Sequence, residues 1–508
     1  MVYLIQLHTA ITIFYPFFLI LMNPEVQETK PKSFPITRFD LIVLATMLVL
    51  SVLMGIVVWK GNLLPSQVIA FSWLDRKVGV EDRYFTINFD RRVDQSKVEK
   101  YLQIQPFLQG KISWRGKTLF YTPTEIPVYG TTYQISLSED ESKTFIKPFR
   151  SKFLTRDRAF AYIGIEGTER GRLILYNVTQ RKKTVLTPSD LIVTDFKIYS
   201  DSSKILFSAF EANQGVAGLN QQQIYTVTTG LIFEPKNTKQ LVGRIERILD
   251  AKNYQNLKFD LSVNDTIVIQ RNNRSNPLES GLWLVLPSGE SRPMGIPGGD
   301  FLIAPNGKSV AVIQTGGIAI LPLTSEATNT QFYDGFGEIL TFSQDGSKQL
   351  MVKYNTDYTR SLFLVSNNGE QKELFRSIAP IIGCQFERKK EENIYCIKTD
   401  LIEENGKYRE EPYLGLINLK TAQDSPLIAL PNYRDVNISM SPDGLGLLFD
   451  QFVTTTPSSR NEVVTEQGEA IAAGRIWLLP LPDMQKQEPL NIVPPEDLVS
   501  GFKPQWLP

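Results

Sequence analysis

The chain has 508 residues and equal numbers of cationic and acidic side chains, 54 each, so its formal net charge is zero. Proteins that grip nucleic acid depend on clustered Lys and Arg, and this balance argues against nucleic acid as a partner. Hydrophobic residues make up 42% of the sequence, enough for packed cores and too many for wholesale disorder. At about 100–200 residues per domain, the length indicates two to four domains.

The scarce residue types exclude most catalytic and metal chemistry. The single histidine, His8, lies in an apolar N-terminal stretch, so Ser-His-Asp catalysis, Cys-His catalysis and histidine-ligated metal sites are excluded beyond it. Two cysteines are too few for a zinc ribbon or an iron–sulfur cluster. The sequence contains no Walker A loop, nucleophile elbow or EF-hand loop. We therefore expect no catalytic residue, metal or cofactor, although carboxylate pairs, Lys/Tyr chemistry and a calcium site stay open.

Taken in chain order, the first segment is the uncharged run of residues 1–22, which is interrupted by Pro16. One interpretation is a second membrane helix, which would make the protein two-pass and pair this helix with the next as a hairpin. The other is an upstream extension, with translation starting at Met22 before a polar stretch. Both interpretations leave the residues after 60 on the same side of the membrane.

The second apolar segment is residues 41–59, a run of 19 uncharged residues from Leu41 to Trp59. As a helix it spans about 28 Å, close to the thickness of the hydrocarbon core of a bilayer. No small-x-small cleavage pattern follows it. We therefore interpret it as an uncleaved transmembrane helix in contact with the lipid bilayer.

The charges that flank this helix indicate its orientation. Lys30, Lys32 and Arg38 precede it, whereas Lys60 alone follows it closely. Cytoplasmic flanks carry an excess of Lys and Arg. The sequence therefore predicts a cytoplasmic flank at residues 23–40 and places the bulk of the chain on the exoplasmic or periplasmic side.

Short alternating segments with turn residues between them occupy residues 66–148. They predict strands at 84–90, 102–106, 110–114, 118–123 and 130–137, with one helical turn within 91–100. Strands spaced by about 8–12 residues are typical of a β-sandwich.

The same residues resemble the bacterial Ig-like module of S-layer and other cell-surface proteins. The resemblance is carried by FTINFDRRVDQSKVEKYLQIQP, ISWRGKTLFYTP and PVYGTTYQISL. It implies an Ig-like β-sandwich that acts as a spacer or adhesion module. The family brings no catalytic residues to this chain. An unrelated small β-sandwich is the alternative.

A recurring unit fills residues 150–508, in which an apolar strand, a short polar turn and a second strand are followed by a third strand. Strand–turn–strand copies lie at 195–207, 257–269, 301–313, 339–352 and 436–449, and third strands begin at Gln223, Gly281, Gly317, Ser361 and Arg475. Asn-Gly and Asp-Gly supply the positive φ that tight hairpins need. Spacing of roughly 40 to 65 residues is typical of propeller blades. With a first copy at 153–188, we count six to seven blades and prefer seven.

The phrase Ser441-Pro-Asp-Gly444 and the terminal FKPQWLP resemble the TolB/WD40-like propeller repeat, whose strand reads P-x-W-S-P-D-G. The resemblance covers residues 150–508 but is degenerate, since a single copy keeps SPDG. It implies a propeller and, by analogy, protein–protein contact in the cell envelope. Because a blade-like phrase ends the chain, we expect the C-terminal strand to pair with the first blade and close the ring.

Both cysteines lie in the predicted hairpin of the sixth blade. Folding this hairpin about Lys390 places Cys384 opposite Cys396 and Phe386 opposite Ile394. Directly opposed residues have Cβ atoms about 4.5–5.5 Å apart, near enough for a disulfide. Such a bond persists outside the cytoplasm. The alternative is two small buried hydrophobic side chains.

Four blades carry a long connection between their second and third strands, at about 211–222, 271–280, 399–412 and 453–474. Because strands alternate in direction, these connections emerge on one face of the disc, away from the Asp-Gly turns. Long loops on a rigid scaffold often bind partners, and tolerated surface insertions are the alternative. The candidate partner-binding residues are Glu211, Asn213, Arg274, Glu403, Glu404, Arg409, Arg460 and Glu466.

The sequence therefore predicts an all-β protein with an N-terminal transmembrane helix, a small Ig-like β-sandwich and a six- to seven-bladed β-propeller. The predicted function is non-enzymatic: a membrane-anchored envelope protein that presents the propeller outside the membrane to another envelope protein or a wall polymer. Two alternatives remain. One is a carboxylate-dependent glycan hydrolase or lyase with its site in the central funnel, and the other is a purely structural or adhesive surface protein.

Overall fold

A computed structural model describes most of the chain in two compact units, Met1–Pro65 and Ser66–Pro508. The described residues are 37–63, 65–138, 146–231, 241–323, 330–388, 391–404, 406–430, 436–457, 462–465, 467–481 and 493–508. The apolar segment 1–22 and all but the last residues of the flank 23–40 lie outside them. The two units are described separately.

The first unit contains the helix α1 (Arg38–Leu63). It begins at a reciprocal cap, in which Thr37 Oγ1 donates to Asp40 Oδ2 (2.7 Å) and Asp40 N donates to Thr37 Oγ1 (3.3 Å). The stretch Arg38–Ile56 has a mean hydropathy of 2.4 and is not buried in the structure. Within the described residues, α1 alone is long and apolar enough to cross a membrane, properties that a signal sequence near an N terminus shares.

The second unit begins with two four-stranded sheets, sheet A and sheet B, that form a β-sandwich. The elements are β1 (Val68–Phe71), β2 (Lys77–Val78), β3 (Phe85–Phe89), α2 (Gln95–Tyr101), β4 (Leu102–Gln105), β5 (Gly110–Arg115), β6 (Thr118–Pro123), β7 (Thr132–Leu137) and β8 (Phe149–Thr155). Sheet A has the order β1-β3-β6-β5 and sheet B the order β2-β8-β7-β4. Since β8 belongs to sheet B, the sandwich continues past the residue at which the sequence predicted its end.

Alternation along the strands explains the core of the sandwich. Phe85, Ile87 and Phe89 of β3 are buried and alternate with half-buried residues. The face that carries these three residues packs against sheet B. Phe153 of β8 lies in this contact, with its ring centroid 4.9 Å from that of Trp73. Burying aromatic side chains from both sheets in one cluster holds the two layers together.

Seven further four-stranded antiparallel sheets follow in the described part of the chain. They are sheet 1, β9 (Ala159–Ile163), β10 (Leu173–Asn177), β11 (Lys182–Val185) and β36 (Phe502–Trp506); sheet 2, β12 (Leu191–Ile198), β13 (Lys204–Glu211), β14 (Gln223–Thr228) and β15 (Ile245–Leu249); sheet 3, β16 (Tyr254–Leu261), β17 (Ile267–Asn273), β18 (Gly281–Val285) and β19 (Ser291–Pro293); sheet 4, β20 (Phe301–Ile303), β21 (Ser309–Gln314), β22 (Gly317–Pro322) and β23 (Gln331–Asp334); sheet 5, β24 (Phe336–Phe342), β25 (Lys348–Tyr354), β26 (Arg360–Ser366) and β27 (Gln371–Ser377); sheet 6, β28 (Ile381–Phe386), β29 (Asn393–Glu404), β30 (Lys407–Asn418) and β31 (Asp424–Ala429); and sheet 7, β32 (Ile438–Met440), β33 (Gly446–Thr455), β34 (Ala470–Pro480) and β35 (Glu496–Ser500).

These sheets are arranged in a ring. Each inner strand contacts the inner strand of the next sheet, in the closed order β36, β12, β16, β20, β24, β28, β32 and back to β36. A hydrophobic cluster fills each junction between neighbouring sheets, including the one between sheets 7 and 1. Sheets that bury their faces on two neighbours around a central axis define a β-propeller.

The C-terminal strand closes the ring, as predicted. β36 pairs with β9, with Trp506 opposite Phe160 and Phe502 opposite Ile163. Phe502 and Trp506 are both buried. Sheet 1 is therefore built from the first and last strands of the ring, which removes the exposed edge that an open ring would leave.

The turns between first and second strands show why the repeat is partly hidden in the sequence. One residue of each such turn in sheets 2 to 7 has a positive φ, between 51° and 72°. In order along the chain, these residues are Ser202, Asp265, Gly307, Gly346, Glu391 and Gly444. Half of the turns therefore use glycine, and the other half hold a residue with a side chain in the left-handed conformation.

Three ion pairs join the inner strands of successive sheets. They are Lys503–Asp195 (3.2 Å), Lys197–Asp260 (3.3 Å) and Lys258–Asp300. In each, a lysine of one sheet meets an aspartate of the next. Asp260 raises the pKa of Lys197, so that lysine stays charged. Partly exposed pairs of this kind contribute about 0–1 kcal/mol each and help to set how neighbouring sheets align.

The sandwich packs on one face of the ring, which we call the turn face because the turns between first and second strands lie there. Tyr129 of the sandwich donates from its hydroxyl to Asp443 Oδ2 (2.7 Å), and Arg158 Nη2 contacts Asp443 Oδ1 (3.2 Å). The Arg158 guanidinium also lies 4.9 Å from the ring centre of Trp506. One buried carboxylate of sheet 7 thus holds the sandwich and the first strand of the ring.

Candidate functional site

The face opposite the turn face carries the connections between second and third strands, and we call it the loop face. In antiparallel sheets these connections must lie opposite the first turns. The sandwich contacts Asp443 and residues near Thr179, which belong to turns of the opposite face. The described part of Ser66–Pro508 therefore leaves the loop face uncovered by the sandwich.

On one side of the loop face, the connections of sheets 2 and 3 are tied together by hydrogen bonds. The connection of sheet 2 is a 3-10 helix, Ala212–Gln221. Arg274 of sheet 3 donates from Nη2 to Asn220 O of this 3-10 helix and from Nε to Ala251 O (3.0 Å). Beneath it, buried Asn256 donates to Gln222 O (2.9 Å). These hydrogen bonds hold the connections of sheets 2 and 3 against each other, and we call this part of the loop face the braced surface.

The connection of sheet 7 extends the same surface. Val464 is buried in a cluster with Ile192 and Phe210 of sheet 2, although sheet 1 lies between sheets 7 and 2 in the ring. A cluster at the junction of sheets 1 and 2 also includes Val463. Apolar anchoring of this kind fixes the connection on its neighbours.

The connection of sheet 6 is a β-ribbon, whereas the sequence predicted a loop over 399–412. β29 and β30 continue past the body of the sheet, with Thr399 opposite Pro412 and Glu403 opposite Tyr408. The residues beyond Thr399 are mostly exposed, so the pairing there rests on backbone hydrogen bonds. The charged stretch shows no alternation of apolar residues, which is why the pattern predicted no strand.

The ribbon grows from strands that are cross-linked below it. Cys384 of β28 lies opposite Cys396 of β29, and Phe386 lies opposite Ile394, the register expected from the sequence. The structure joins the two cysteines in a disulfide, with an S–S distance of 2.03 Å. Lys390, about which the hairpin was expected to fold, lies outside the described residues.

Sheet 5 adds an exposed apolar patch beside the ribbon, which the sequence analysis missed. Tyr358 is 90% exposed in the connection between β25 and β26, and Ile378 is 66% exposed where β27 leads to β28. On the ribbon, Tyr408 is 70% exposed. A tyrosine inside the short turn Thr356-Asp357-Tyr358-Thr359 was the available signal.

Two carboxylates lie near the start of the inner strands of sheets 4 and 5, at the centre of the loop face. Asp300 pairs with Lys258, and Glu338 Oε2 accepts a hydrogen bond from Tyr354 (3.2 Å). Burial raises the pKa of Glu338, and the negative charge of Asp300 raises it further. A carboxyl group with a raised pKa near a second carboxyl group is compatible with general acid chemistry.

The predicted partner-binding residues fall into two groups on this face. Glu211, Asn213 and Arg274 lie on the braced surface of the adjacent sheets 2 and 3, where Glu211 and Asn213 are exposed. Glu403, Glu404 and Arg409 lie on the ribbon of sheet 6, where Arg409 Nη2 pairs with Glu411 (2.7 Å). Arg460 and Glu466 lie outside the described residues. The ring thus separates the two groups by at least two intervening sheets.

Among the residues that the structure describes, no group of three or more His, Cys, Asp or Glu side chains is placed to hold a metal ion.

No family model and no curated protein matches the sequence. Among solved structures, the chain is similar to TolB from Acinetobacter baumannii, with 11% identity, 86% of this chain and 88% of that chain covered, and a TM-score of 0.38. It is also similar to a putative 6-phosphogluconolactonase from Bacteroides fragilis, with 10% identity, 69% and 97% covered, and a TM-score of 0.41. The periplasmic gluconolactonase of Pseudomonas aeruginosa gives 11% identity, 69% and 99% covered, and a TM-score of 0.41. Likenesses this distant assign no activity or ligand to this chain.

Proposed function

We propose that the protein is a membrane-anchored binding protein of the cell envelope. In this proposal α1 is a single-pass tether, and the unit Ser66–Pro508 lies on the exoplasmic or periplasmic side. The sandwich is an Ig-like spacer, and the seven sheets are the blades of a propeller that binds another envelope protein. The proposal draws on the length and apolarity of α1 and on the two faces of the ring.

One observation carries the binding role. The sandwich occupies the turn face, while the loop face holds exposed apolar side chains on two connections of sheet 5 and on the ribbon of sheet 6. Tyr358, Ile378 and Tyr408 lie on the neighbouring sheets 5 and 6, and all are more than half exposed. Exposed tyrosines on rigid elements lose little conformational entropy on binding and are enriched where proteins contact proteins. We call the surface of these three residues the tyrosine patch.

Site-specific photo-crosslinking in the intact membrane tests this proposal. A photoreactive amino acid replaces Tyr358 or Tyr408 in the full-length protein, and matched controls carry it at Lys308 on the turn face and at Lys111 on the sandwich. We expect a discrete crosslinked product with a second envelope protein from the tyrosine patch and not from the controls. In a further experiment the photoreactive amino acid replaces Ile378. The double substitution Tyr358→Ser and Tyr408→Ser should then reduce crosslinking from that position at least fivefold.

Each other outcome counts against the proposal. A product between two copies of this chain would favour the structural or adhesive alternative. Crosslinks that a cell-wall hydrolase releases would identify a wall polymer as the partner. Equal crosslinking from the patch and the controls, or none from either, would remove the loop face as the binding surface.

Glycan cleavage is a second candidate, favoured by Glu338 and Asp300 at the centre of the loop face. Burial raises the pKa of Glu338, as a general acid requires, and Asp300 is the neighbouring carboxylate. The full-length protein should then release fragments from purified wall glycan, and Glu338→Gln should abolish the release. Glu246→Gln, which removes a carboxylate from the outer strand β15, is the control and should leave it unchanged. Absence of any release by the unmodified protein would remove this candidate.

A further inference from the structure

A cavity of about 280 Å³ lies between the sandwich and the turn face of the propeller. Its walls come from β2 and β8 of the sandwich, from sheets 1 and 2, and from the last residues of the chain. Pockets that bind small molecules begin at about 300 Å³ and occur preferentially where two modules meet. The volume and position of this joint cavity therefore suit a small ligand.

One part of the cavity is apolar. Leu175 lies in sheet 1 and Leu231 follows β14 of sheet 2. Trp506 ends the closing strand, Leu507 follows it, and Leu154 belongs to the sandwich. Side chains from both modules thus enclose the same space. A ligand with an apolar body would be covered by both of them and would displace water from these surfaces.

The polar part of the cavity is mainly cationic. Lys77 and Lys182 line it together with Arg156 and Arg158, and Asp157 supplies the one acidic side chain among the lining residues. Arg156 pairs with Glu81 (2.5 Å) and Arg158 with Asp443 (3.2 Å). Lys77 and Lys182 form no ion pair with any residue in the described ranges. The exposed side chains of Lys77 and Lys182 therefore bring positive charge to the cavity wall, against the one acidic side chain of Asp157.

Two buried donors belong to residues that line the cavity. Arg158 Nε and Trp506 Nε1 are buried and have no acceptor in the structure. A buried donor without a partner destabilises the folded state, because it has lost its hydrogen bond to water. The carboxylate of Asp157 accepts from Asn177 Nδ2 (2.8 Å) and Gln180 Nε2 (2.6 Å), both through its Oδ2.

We propose that the joint cavity binds a small organic anion, an apolar body that carries one carboxylate, sulfonate or phosphate group. Lys77 and Lys182 attract the head group from opposite modules, and the apolar wall receives the body. Because the site lies on the turn face, it is separate from the tyrosine patch and does not rest on the function proposed above. A bound anion contacts the sandwich and the propeller together and so stiffens their joint.

Isothermal titration calorimetry on the full-length protein in a nonionic detergent tests the site, with naphthalene-1-sulfonate as the probe and a titration into detergent alone as the blank. We expect one probe per chain and no binding of 1-naphthylmethylammonium, which has the same ring system and the opposite charge. The double substitution Lys77→Gln and Lys182→Gln should weaken probe binding roughly tenfold. Lys111→Gln with Lys252→Gln removes two exposed lysines elsewhere and should leave the affinity unchanged.

A second variant tests the position of the site without changing its charge. Thr184 lines the cavity on β11, where a bulky β-forming residue is tolerated, and Thr184→Phe should fill the space and abolish probe binding. The unfolding temperature of every variant, measured without probe, confirms that it is folded. Equal affinity for the ammonium probe, no effect of the lysine substitutions, or unchanged binding by folded Thr184→Phe would each overturn the proposal.

Discussion

At the residue scale, Asp443 has the widest role in the fold. Within its own turn it accepts hydrogen bonds from Ser441 Oγ and Leu445 N (2.8 Å), the pattern expected of an Asp-Gly turn. Its carboxylate also accepts a hydrogen bond from the Tyr129 hydroxyl and pairs with Arg158, and these two contacts join the sandwich to the propeller. Burial, together with the negative charge of Asp443, raises the pKa of Tyr129, so its hydroxyl stays a donor.

The substitution Asp443→Ala should destabilise the protein by about 3–5 kcal/mol, because it leaves Arg158 at the joint without its carboxylate. Asp345→Ala is the matched control, since Asp345 makes the same kind of turn in sheet 5, accepting from Ser343 Oγ (2.7 Å) and Ser347 N (2.9 Å). It should cost about 1–2 kcal/mol. Urea unfolding followed by tryptophan fluorescence measures both losses. Equal losses would show that the joint contacts add nothing.

The sequence predicted part of the role of Asp443 and missed the rest for a physical reason. The phrase Ser441-Pro-Asp-Gly444 identifies a turn because the signal is local, within four neighbouring residues. Tyr129 lies 314 residues away along the chain, and no local pattern links the two. The same holds for the cavity beside them, whose walls come from segments at both ends of the second unit.

At the element scale, the turns between first and second strands were predicted well where glycine marks them. Asn306-Gly307, Asp345-Gly346 and Asp443-Gly444 identified their turns because glycine reaches positive φ without steric cost. The copies in sheets 2 and 3 are weaker in sequence because Ser202 and Asp265 take the same conformation with side chains present. The positive φ at this position of the turn repeats around the ring, whereas the type of residue that adopts it varies.

Replacing Asp265 with glycine should therefore stabilise the protein by about 1 kcal/mol, since it removes a side chain at φ 61°. Burial and the nearby Asp201 raise the pKa of Asp265. An acid whose pKa is raised on folding destabilises the folded state as the pH rises through its unfolded and then its folded pKa. The gain from Asp265→Gly should accordingly be larger at pH 7 than at pH 3, as pH-dependent urea unfolding would show.

The matched control has the opposite sign. Gly369 has φ 89° in the turn between β26 and β27, and a Cβ added there meets no atom within 4 Å. Gly369→Ala should destabilise the protein by about 1–2 kcal/mol through the backbone conformation alone. A destabilising Asp265→Gly, or a neutral Gly369→Ala, would contradict the conformational explanation.

The ribbon of sheet 6 shows the limit of pattern reading at this scale. β29 and β30 each run for 12 residues, and only the parts that pack in the ring carry a buried, apolar pattern. Beyond Thr399 the strands continue into solvent with charged side chains. Hydrophobic periodicity reports burial, so it cannot identify a strand that is held by backbone pairing alone.

At the scale of the whole molecule, the ring depends on its last strand. β36 supplies the inner strand of sheet 1 and places Phe502, Trp506 and Leu507 in buried positions. Burying a large apolar side chain contributes about 1.5–3 kcal/mol. The succession of first, second and third strands was predictable because the unit repeats, and closure was predictable because a blade-like phrase ends the sequence. The fourth strand of each sheet was not located in the sequence, and the count stayed at six to seven units.

Deleting residues 500–508 should remove about 5–8 kcal/mol of stability and abolish cooperative unfolding of the propeller. Deleting Pro508 alone is the control, because it leaves β36 intact, and it should have little effect. Thermal unfolding and amide hydrogen exchange in sheets 1 and 7 would measure the difference. Unchanged unfolding of the longer deletion would show that the ring does not need its closing strand.

The pairing of β36 with β9 also has a mechanical consequence. The covalent path from the sandwich enters the ring at Arg158, immediately before β9, so tension on the chain arrives beside the seam where the ring was closed. Without a second attachment, the hydrogen bonds of β9 to β10 and β36 alone would carry that tension. The link from Arg158 to Asp443 passes the load directly to sheet 7, so both sides of the seam are pulled together and the ring resists opening under force.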